Sequence, residues 1–459
     1  MNSLAQHVQA SLPLQAKRWW LAVSGGLDSM CLLHLVKQMQ HNTSLTLPAV
    51  HVLHIHHGLQ ADADRWQAFV AEQSQSYGFP YQCVKVTVDA QLQQQQGLEA
   101  AARAARYKVF AETIETDDVV ILAQHANDQV ETLLLRLLRG AGVAGLGAMR
   151  QHRPLGKGHV QRPLLSVTRE ALVVYAQEHH IQWCEDPSNA DDDFDRNYLR
   201  HQVMPLLQQR WPDLCKRVET TSHIMQGTQD LLQQLAQEDY QQLTPQPPAS
   251  KVGLSVTSLL ALSLERRHNL LRWWLHQLGE PAPDFLSLQH IDQQVLLAGA
   301  DRQPCFTLTQ GELRRAYGKL YWVASQQSIT YEEPSQVLQE WVWDASVTGS
   351  EPIATATGFL HPVMGGLNLQ IGDCIRITKR QGGERCQPQG RAHSQSLKKL
   401  LQEYQIPVWQ RDNLPLFWVN DCLAMVGDLW ICEGFSAAQG ELGWRWSRSR
   451  ELDWVKTLF

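Results

Sequence analysis

Ser24-Gly25-Gly26-Leu27-Asp28-Ser29 is the segment best equipped for chemistry. It follows the apolar run Trp19-Trp20-Leu21-Ala22-Val23 and precedes a helical pattern, so a buried strand turns here into a helix. Such a turn leaves backbone N–H groups unpartnered at the positive end of a helix dipole, which makes an anion site. Gly25 and Gly26 let the backbone approach a phosphate closely, and Ser24 and Ser29 add hydroxyl donors. Asp28 would repel phosphates unless a divalent cation lay between, and oxygen-ligated Mg2+ is the natural candidate. The plainer alternative is a glycine turn that caps an ordinary helix. The lysine of the G-x-x-x-x-G-K-[ST] nucleotide loop is missing.

A second polar cluster opens at Gln124-His125, where an apolar run ending at Ala123 meets a new helical pattern. His125, Asp128 and Glu131 are three residues apart and share one face, while Leu134, Leu137 and Leu138 are expected on another, packed against the sheet. Two carboxylates at the carboxyl end of a strand can hold an ammonium group, help to bind Mg2+, or simply complement a helix dipole. Glu99, Arg103 and Arg106 recur along one helix face, either as a surface ion pair or as a reach toward an anionic substrate. His54 and His56 point to one side of a strand end, which suits a metal pair or a polar wall of a nucleotide pocket. Further on, the acidic loop Trp183–Asn189 is followed by Arg196 and Arg200, one turn apart. Gly140-Ala-Gly142-Val-Ala-Gly145 has the dinucleotide spacing but follows a helix, so it reads as a flexible basic loop after Arg136 and Arg139.

The elements that must position these residues alternate over the first ~125 residues. Strand patterns lie at Trp19–Val23, Ala49–Ile55, Tyr81–Val88 and Val119–Ala123, with helical periodicity between them. Repeated βα units of this length predict an α/β fold with a doubly wound parallel sheet, whose ligands sit at the carboxyl ends of the strands. A Gln-rich helix is expected from Leu206 to about Gln242, ended by the proline cluster Thr244–Ser250. A mostly helical middle domain with a β-hairpin near Cys305–Val323 follows, then a linker at Ser325–Ser335 and a small α+β C-terminal domain. The expected division is 1–215, 216–330 and 340–459.

With 44% hydrophobic and 19% charged residues among 459, the composition is that of a water-soluble, multidomain chain. No apolar stretch reaches the ~18 residues of a membrane span, and the N-terminus lacks a signal-peptide pattern, so a cytoplasmic location without membrane contact is expected. The nine cysteines are scattered without a C-x-x-C pair, which argues against zinc, an iron–sulfur cluster or a disulfide frame. Net charge is −6, yet positive charge is concentrated in two segments. Leu133–Glu170 holds Arg136, Arg139, Arg150, Arg153, Lys157, Arg162 and Arg169 against Glu170. Ile375–Arg411 holds Arg376, Lys379, Arg380, Arg385, Arg391, Lys398, Lys399 and Arg411 against Glu384 and Glu403. Localised basic patches on an acidic protein suggest a polyanion footprint.

S-G-G-L-D-S resembles the PP-loop of ATP pyrophosphatases, which split ATP to AMP and pyrophosphate. The wider pattern resembles one family, tRNA(Ile)-lysidine synthase. It includes the H-H-G-L segment at His56–Leu59, E-x-x-A-R-x-x-R-Y at Glu99–Tyr107, H-x-x-D-Q-x-E-T at His125–Thr132 and R-L-x-R-G-x-G-x-x-G-L at Arg136–Leu146. E-D-P-S-N…F-x-R-N follows, and Gly383–Arg411 resembles the family's tail module. Gln60 departs from the arginine often found after H-G-L. The resemblance implies ATP and Mg2+ as cofactors, and as substrates free L-lysine and a minor isoleucine tRNA with a CAU anticodon. It implies adenylation of the wobble cytidine at O2 followed by attack of the lysine amine at C2. In that scheme Ser24–Ser29 cradle the phosphates with Asp28 on Mg2+, Asp128 and Glu131 hold lysine, and His125 is a candidate acceptor for the amine proton. Arg103, Arg106, Arg139, Arg196, Arg200, Arg385, Lys398, Lys399 and Arg411 are expected toward cytidine or tRNA, with Arg196 also near the chemistry. A homodimer is compatible with the small domains. The alternative is another PP-loop tRNA-modifying enzyme such as a thiolase, which calls for a cysteine pair that is not spaced for it here.

Overall fold

The computed structural model describes residues 3–40, 46–58, 62–187, 191–243, 253–299, 304–325, 337–344, 351–448 and 450. Leu59 and Gln60, Ser188 and Asn189, the proline cluster Thr244–Ser250 and residues 326–335 of the expected linker lie outside the described residues. The chain forms two compact units, Met1–Leu232 and Gln233–Phe459.

In the first unit α1 (Ser3–Ser11) leads to β1 (Arg18–Ala22), α2 (Leu27–Gln40), β2 (Ala49–His56), α3 (Ala63–Ser76) and β3 (Tyr81–Lys85). The chain then returns through α4 (Ala90–Gln96) and α5 (Leu98–Thr113) to β4 (Asp118–Ile121) and α6 (Ala126–Leu138). The sheet order is β3-β2-β1-β4-β6-β5, where β5 is His152–Leu155 and β6 is Gly158–Gln161. All neighbours are parallel except the β5–β6 hairpin at the edge. The chain builds outward from β1 to β3 and then crosses back to β4, so β1 and β4 flank the switch point at which α/β sheets place ligands.

The near-continuous apolar strands are explained by burial on both faces. Trp19, Leu21 and Val23 face a core shared with Met30, Leu33 and Val36 of α2, and with Val70 of α3 and Leu172 of α8 (Arg169–Glu178). Trp20, Leu53, Val120 and Val160 point the other way, onto Phe110 and Ile114 at the end of α5. A short helix α7 (Val143–Leu146) occupies the glycine-rich loop after α6. After α8 come α9 (Asp195–Tyr198), a π-turn at Leu199–Val203, α10 (Met204–Arg210) and the long α11 (Leu214–Leu243).

Two expectations need correction here. Leu134 packs on Met204 and Val218 of α10 and α11, not on the sheet. Leu137 and Leu138 are 51% and 75% exposed, because α6 ends beyond the core it covers.

The second unit contains a helical core of α12 (Val256–Ala261), α13 (Leu264–Gln277) and α14 (Phe285–Ile291), in which Leu270, Leu271, Trp274 and Leu275 are buried. Against it lies a four-stranded sheet of order β7-β10-β9-β8, with β7 Leu254–Ser255, β8 Cys305–Thr307, β9 Gly311–Ala316 and β10 Lys319–Ala324. The C-terminal part is strand-rich, led by a five-stranded sheet that includes Cys374–Thr378, Leu416–Val419 and Cys422–Val426. It carries the helix Leu397–Glu403.

Candidate active site

The loop between β1 and α2 is held in shape by its own polar groups. The Ser29 hydroxyl accepts from Gly25 N at 3.2 Å and donates to Gly26 O at 2.9 Å, and Gly26 N donates to Ser24 Oγ at 3.3 Å. Gly25 has φ +96°, and a Cβ there would stand 3.2 Å from Val70 Cγ2, so the position calls for glycine. The Gly25 carbonyl accepts from Cys184 N at 2.9 Å, which fixes the Trp183–Asp186 segment against the loop. A cavity of about 660 Å3 adjoins this point, lined by Arg65, Trp66, Phe69 and Trp183 among others. Leu27 is buried in the core and anchors the first turn of α2.

Asp28 leaves that turn toward the end of β4. Its Oδ2 lies 3.5 Å from His125 Nε2, and Nε2 lies 3.7 Å from Asp128 Oδ2. His125 is 1% exposed and its backbone N–H donates to Asp128 Oδ2 at 3.0 Å. Burial opposes charge on the imidazole, yet the hydrogen bond to Asp28 and the charges of Asp128, Asp28 and Glu131 outweigh it and raise its pKa. For Asp28 burial favours the neutral acid, but His125, Arg169 and Arg200 together hold its carboxyl below the ordinary range. Sequence reasoning missed Arg169 as a member of the site. Asn127 Oδ1, accepting from Arg169 N at 2.9 Å, is what ties the start of α8 here.

One turn along α6, Glu131 is fully buried and grips two arginines. Arg200 donates through Nε to Oε1 at 2.7 Å and through Nη2 to Oε2 at 3.0 Å, and also lies 3.4 Å from Asp128 Oδ1. Arg196 Nε is 3.3 Å from Glu131 Oε2, and its other nitrogens donate to Glu99 at 3.0 Å and Thr132 at 3.2 Å. Burial pushes the Glu131 pKa up despite these arginines, whereas its carboxylate raises that of Arg200. The π-turn following α9 places Arg200 here, an irregularity of the kind frequent at functional sites. Arg106 and Arg103 complete the group, since Arg106 lies within electrostatic reach of Arg103, Arg196 and Glu99. Seven candidate residues of this unit thus form one chain of contacts, Asp28–His125–Asp128–Arg200–Glu131–Arg196–Glu99, and Thr132 joins it through Arg196.

Other candidates fall outside this chain. His54 Nδ1 is 2.8 Å from Val23 O and His56 Nε2 is 3.1 Å from Asp64, so each is engaged separately. Among the described residues no group of three or more His, Cys, Asp or Glu is placed to hold a metal ion. Mg2+ nevertheless fits at Asp28, whose Oδ1 is buried without a hydrogen-bond partner. A hard cation needs only one or two protein carboxylates when substrate phosphates supply the remaining ligands.

The basic loop after α6 is less free than expected. Arg136 donates to the carbonyls of Gly145 and Ala148 at 3.1 and 2.8 Å, and Arg150 pairs with Asp230. Arg139 stays exposed, 3.7 Å from Asp195. In the second unit Arg385, Lys398 and Lys399 are exposed. Arg411 departs from its expected place facing RNA: it is 7% exposed, donating to Ile406 O and to the Tyr317 hydroxyl, so it serves packing.

A PP-loop domain matches residues 1–207, a TilS substrate binding domain matches 254–321, and a TilS substrate C-terminal domain matches 375–448. The tRNA(Ile)-lysidine synthase of Coxiella burnetii is 38% identical over 92% of this chain and 91% of its own length. That of Alkalilimnicola ehrlichii is 37% identical over 96% and 95%, and that of Serratia proteamaculans 38% over 97% and 99%. The chain belongs to the tRNA(Ile)-lysidine synthase family.

Proposed function

We propose that this protein joins free L-lysine to C2 of the wobble cytidine of a CAU-anticodon isoleucine tRNA, consuming ATP and releasing AMP and pyrophosphate. The observation that carries the reading is the contact chain from Asp28 through His125 to Asp128 and Glu131, set at the ends of β1 and β4 beside a phosphate-sized loop. Binding of ATP alone would not require it. Ser24–Ser29 cradle the phosphates of ATP, with backbone N–H groups and the dipole of α2 facing the negative charge. Mg2+ held at Asp28 would neutralise phosphate charge as pyrophosphate leaves.

In the first step O2 of cytidine attacks the α-phosphorus and pyrophosphate departs. In the second the ε-amine of lysine forms a bond to C2, the C2–O2 bond breaks, and AMP carries the oxygen away. The attacking amine must shed a proton. His125 Nε2, flanked by Asp28 and Asp128, is the base we assign. Asp128 and Glu131 set the lysine position, Glu131 acting from beneath through Arg200 and Arg196 in the state described here. Arg103, Arg106 and Arg196 stabilise phosphate charge and orient the cytosine. The three-module division at 1–215, 216–330 and 340–459 belongs to the same proposal. Arg139, Lys398, Lys399 and Arg385 serve as exposed RNA contacts. The thiolase alternative is not favoured, since the relatives matched over nearly the whole chain carry the lysidine synthase name.

The test is to substitute Glu131→Gln and follow both half-reactions. The KM for lysine is expected to rise at least ~10-fold, as loss of a buried charge contact costs ~2–5 kcal/mol. Pyrophosphate release in the presence of tRNA should persist. An unchanged KM for lysine would remove Glu131 from this role.

A further inference from the structure

Four arginines gather around one phenol, Tyr107: Arg103 and Arg106, which border the site above, and Arg153 and Arg162, which take no part in it. Tyr107, on the last turns of α5, has the Arg103 guanidinium 5.0 Å and the Arg153 guanidinium 4.7 Å from its ring centre. Arg162, 2% exposed, donates to the Tyr107 hydroxyl at 3.0 Å and to the Arg150 carbonyl at 2.7 Å. Arg106 is the neighbour of Tyr107 on the same helix.

Carboxylates do not balance this charge. Glu99, which bears on Arg106, is taken by Arg196 at 3.0 Å. Among the described residues the guanidinium groups of Arg106 and Arg153 make no ion pair and no hydrogen bond, Arg153 resting on the Tyr107 ring. Like charges brought together out of water repel, and burial together with the neighbouring arginines depresses the pKa of Arg162. A folded protein keeps such an arrangement where an anion completes it. The Tyr107 hydroxyl accepts from Arg162, so its own O–H remains available as a donor.

We propose that Tyr107 and Arg153, with Arg103 and Arg106, form a seat for one phosphodiester of the RNA chain adjoining the modified nucleotide. This rests on the proposed function above. Guanidinium groups match phosphate geometry, and several in one place act as a clamp. The seat is not that of ATP. Arg153 stands on β5, three strand spacings from β1, or about 14 Å from the strand that carries the phosphate loop. A polynucleotide spans that distance and a triphosphate bound at Ser24–Ser29 does not.

The experiment measures tRNA affinity of the full-length protein across a salt series, with the KM for ATP measured in parallel. Arg153→Gln should weaken tRNA binding severalfold and lower the log–log salt slope by about 0.7, one phosphate's share on a single strand. Arg153→Lys should restore the slope, and the KM for ATP should not move. An unchanged slope in Arg153→Gln, whatever its affinity, would show that the arginine only packs on Tyr107 and would overturn the proposal. A raised KM for ATP with an unchanged tRNA slope would reassign the seat to the nucleotide and overturn it equally. Lysine incorporation by the unsubstituted protein, assayed on the same tRNA, tests the proposed function separately from the slope.

Discussion

At the scale of single residues the site is a balance of burial against charge. His125 and Asp28 each lean on the other to stay ionised, so their contact has a defined pH window. The Asp28 contribution to stability is present above its ordinary value of 3.8 and is lost as pH falls through its lowered folded value. The His125 contribution is complete below its ordinary value of 6.5 and is lost as pH rises through its raised folded value. His125→Asn is therefore expected to lower the Tm more at pH 5.5 than at pH 9, read by thermal melts at both. An equal loss at both would mean that the imidazole is held neutral. If His125 serves as the proposed proton acceptor, lysine transfer should instead rise with pH through the same raised value. That is checked by single-turnover rates on pre-adenylated tRNA.

At the scale of elements, two strand-to-helix junctions bring the chemistry together, and their sequences are local enough to be read directly. Gly25→Ala tests the first. It places a Cβ 3.2 Å from Val70 at φ +96°, so the loop must shift. ATP binding should fall strongly while the unfolding free energy drops by only the ~1–3 kcal/mol of one strained backbone position. Normal ATP affinity in this variant would mean that the loop does not hold the phosphates.

The loop, its flanking strand and the His125–Glu131 face were legible because each depends on spacing within a few residues. Longer-range facts were not. Nothing local shows that Arg200 meets Glu131 across 69 residues, although a pair of arginines one turn apart after an acidic loop hinted at it. The edge hairpin of β5 and β6 escaped notice because its strands are four residues long and one contains Pro154. Leu137 and Leu138 continue an apolar pattern past the end of the core, so periodicity alone assigned them inside. Arg411 sits in a basic run, yet burial turns it inward, and charge counting has no access to burial.

At the scale of the whole molecule, the proposed function assigns the reaction to the first unit and RNA contacts to exposed lysines and arginines of the second. The combined substitution Arg385→Ala, Lys398→Ala and Lys399→Ala should weaken tRNA binding and lower the salt slope by roughly 2–3, close to one phosphate for each side chain. The KM for lysine should be unchanged, because the proposed function gives these side chains no part in holding lysine. A salt slope equal to that of the unsubstituted protein would remove the C-terminal part from RNA contact. Steep salt dependence is compatible with a net charge of −6, since only the local field at the contact surface governs it.

The most direct measurement of the central claim is pyrophosphate release from ATP by the purified protein, with and without isoleucine tRNA and free lysine. Release should require tRNA, and covalent lysine should appear in the RNA only when lysine is supplied. Release with tRNA but no incorporation of lysine, or release without tRNA, would contradict it.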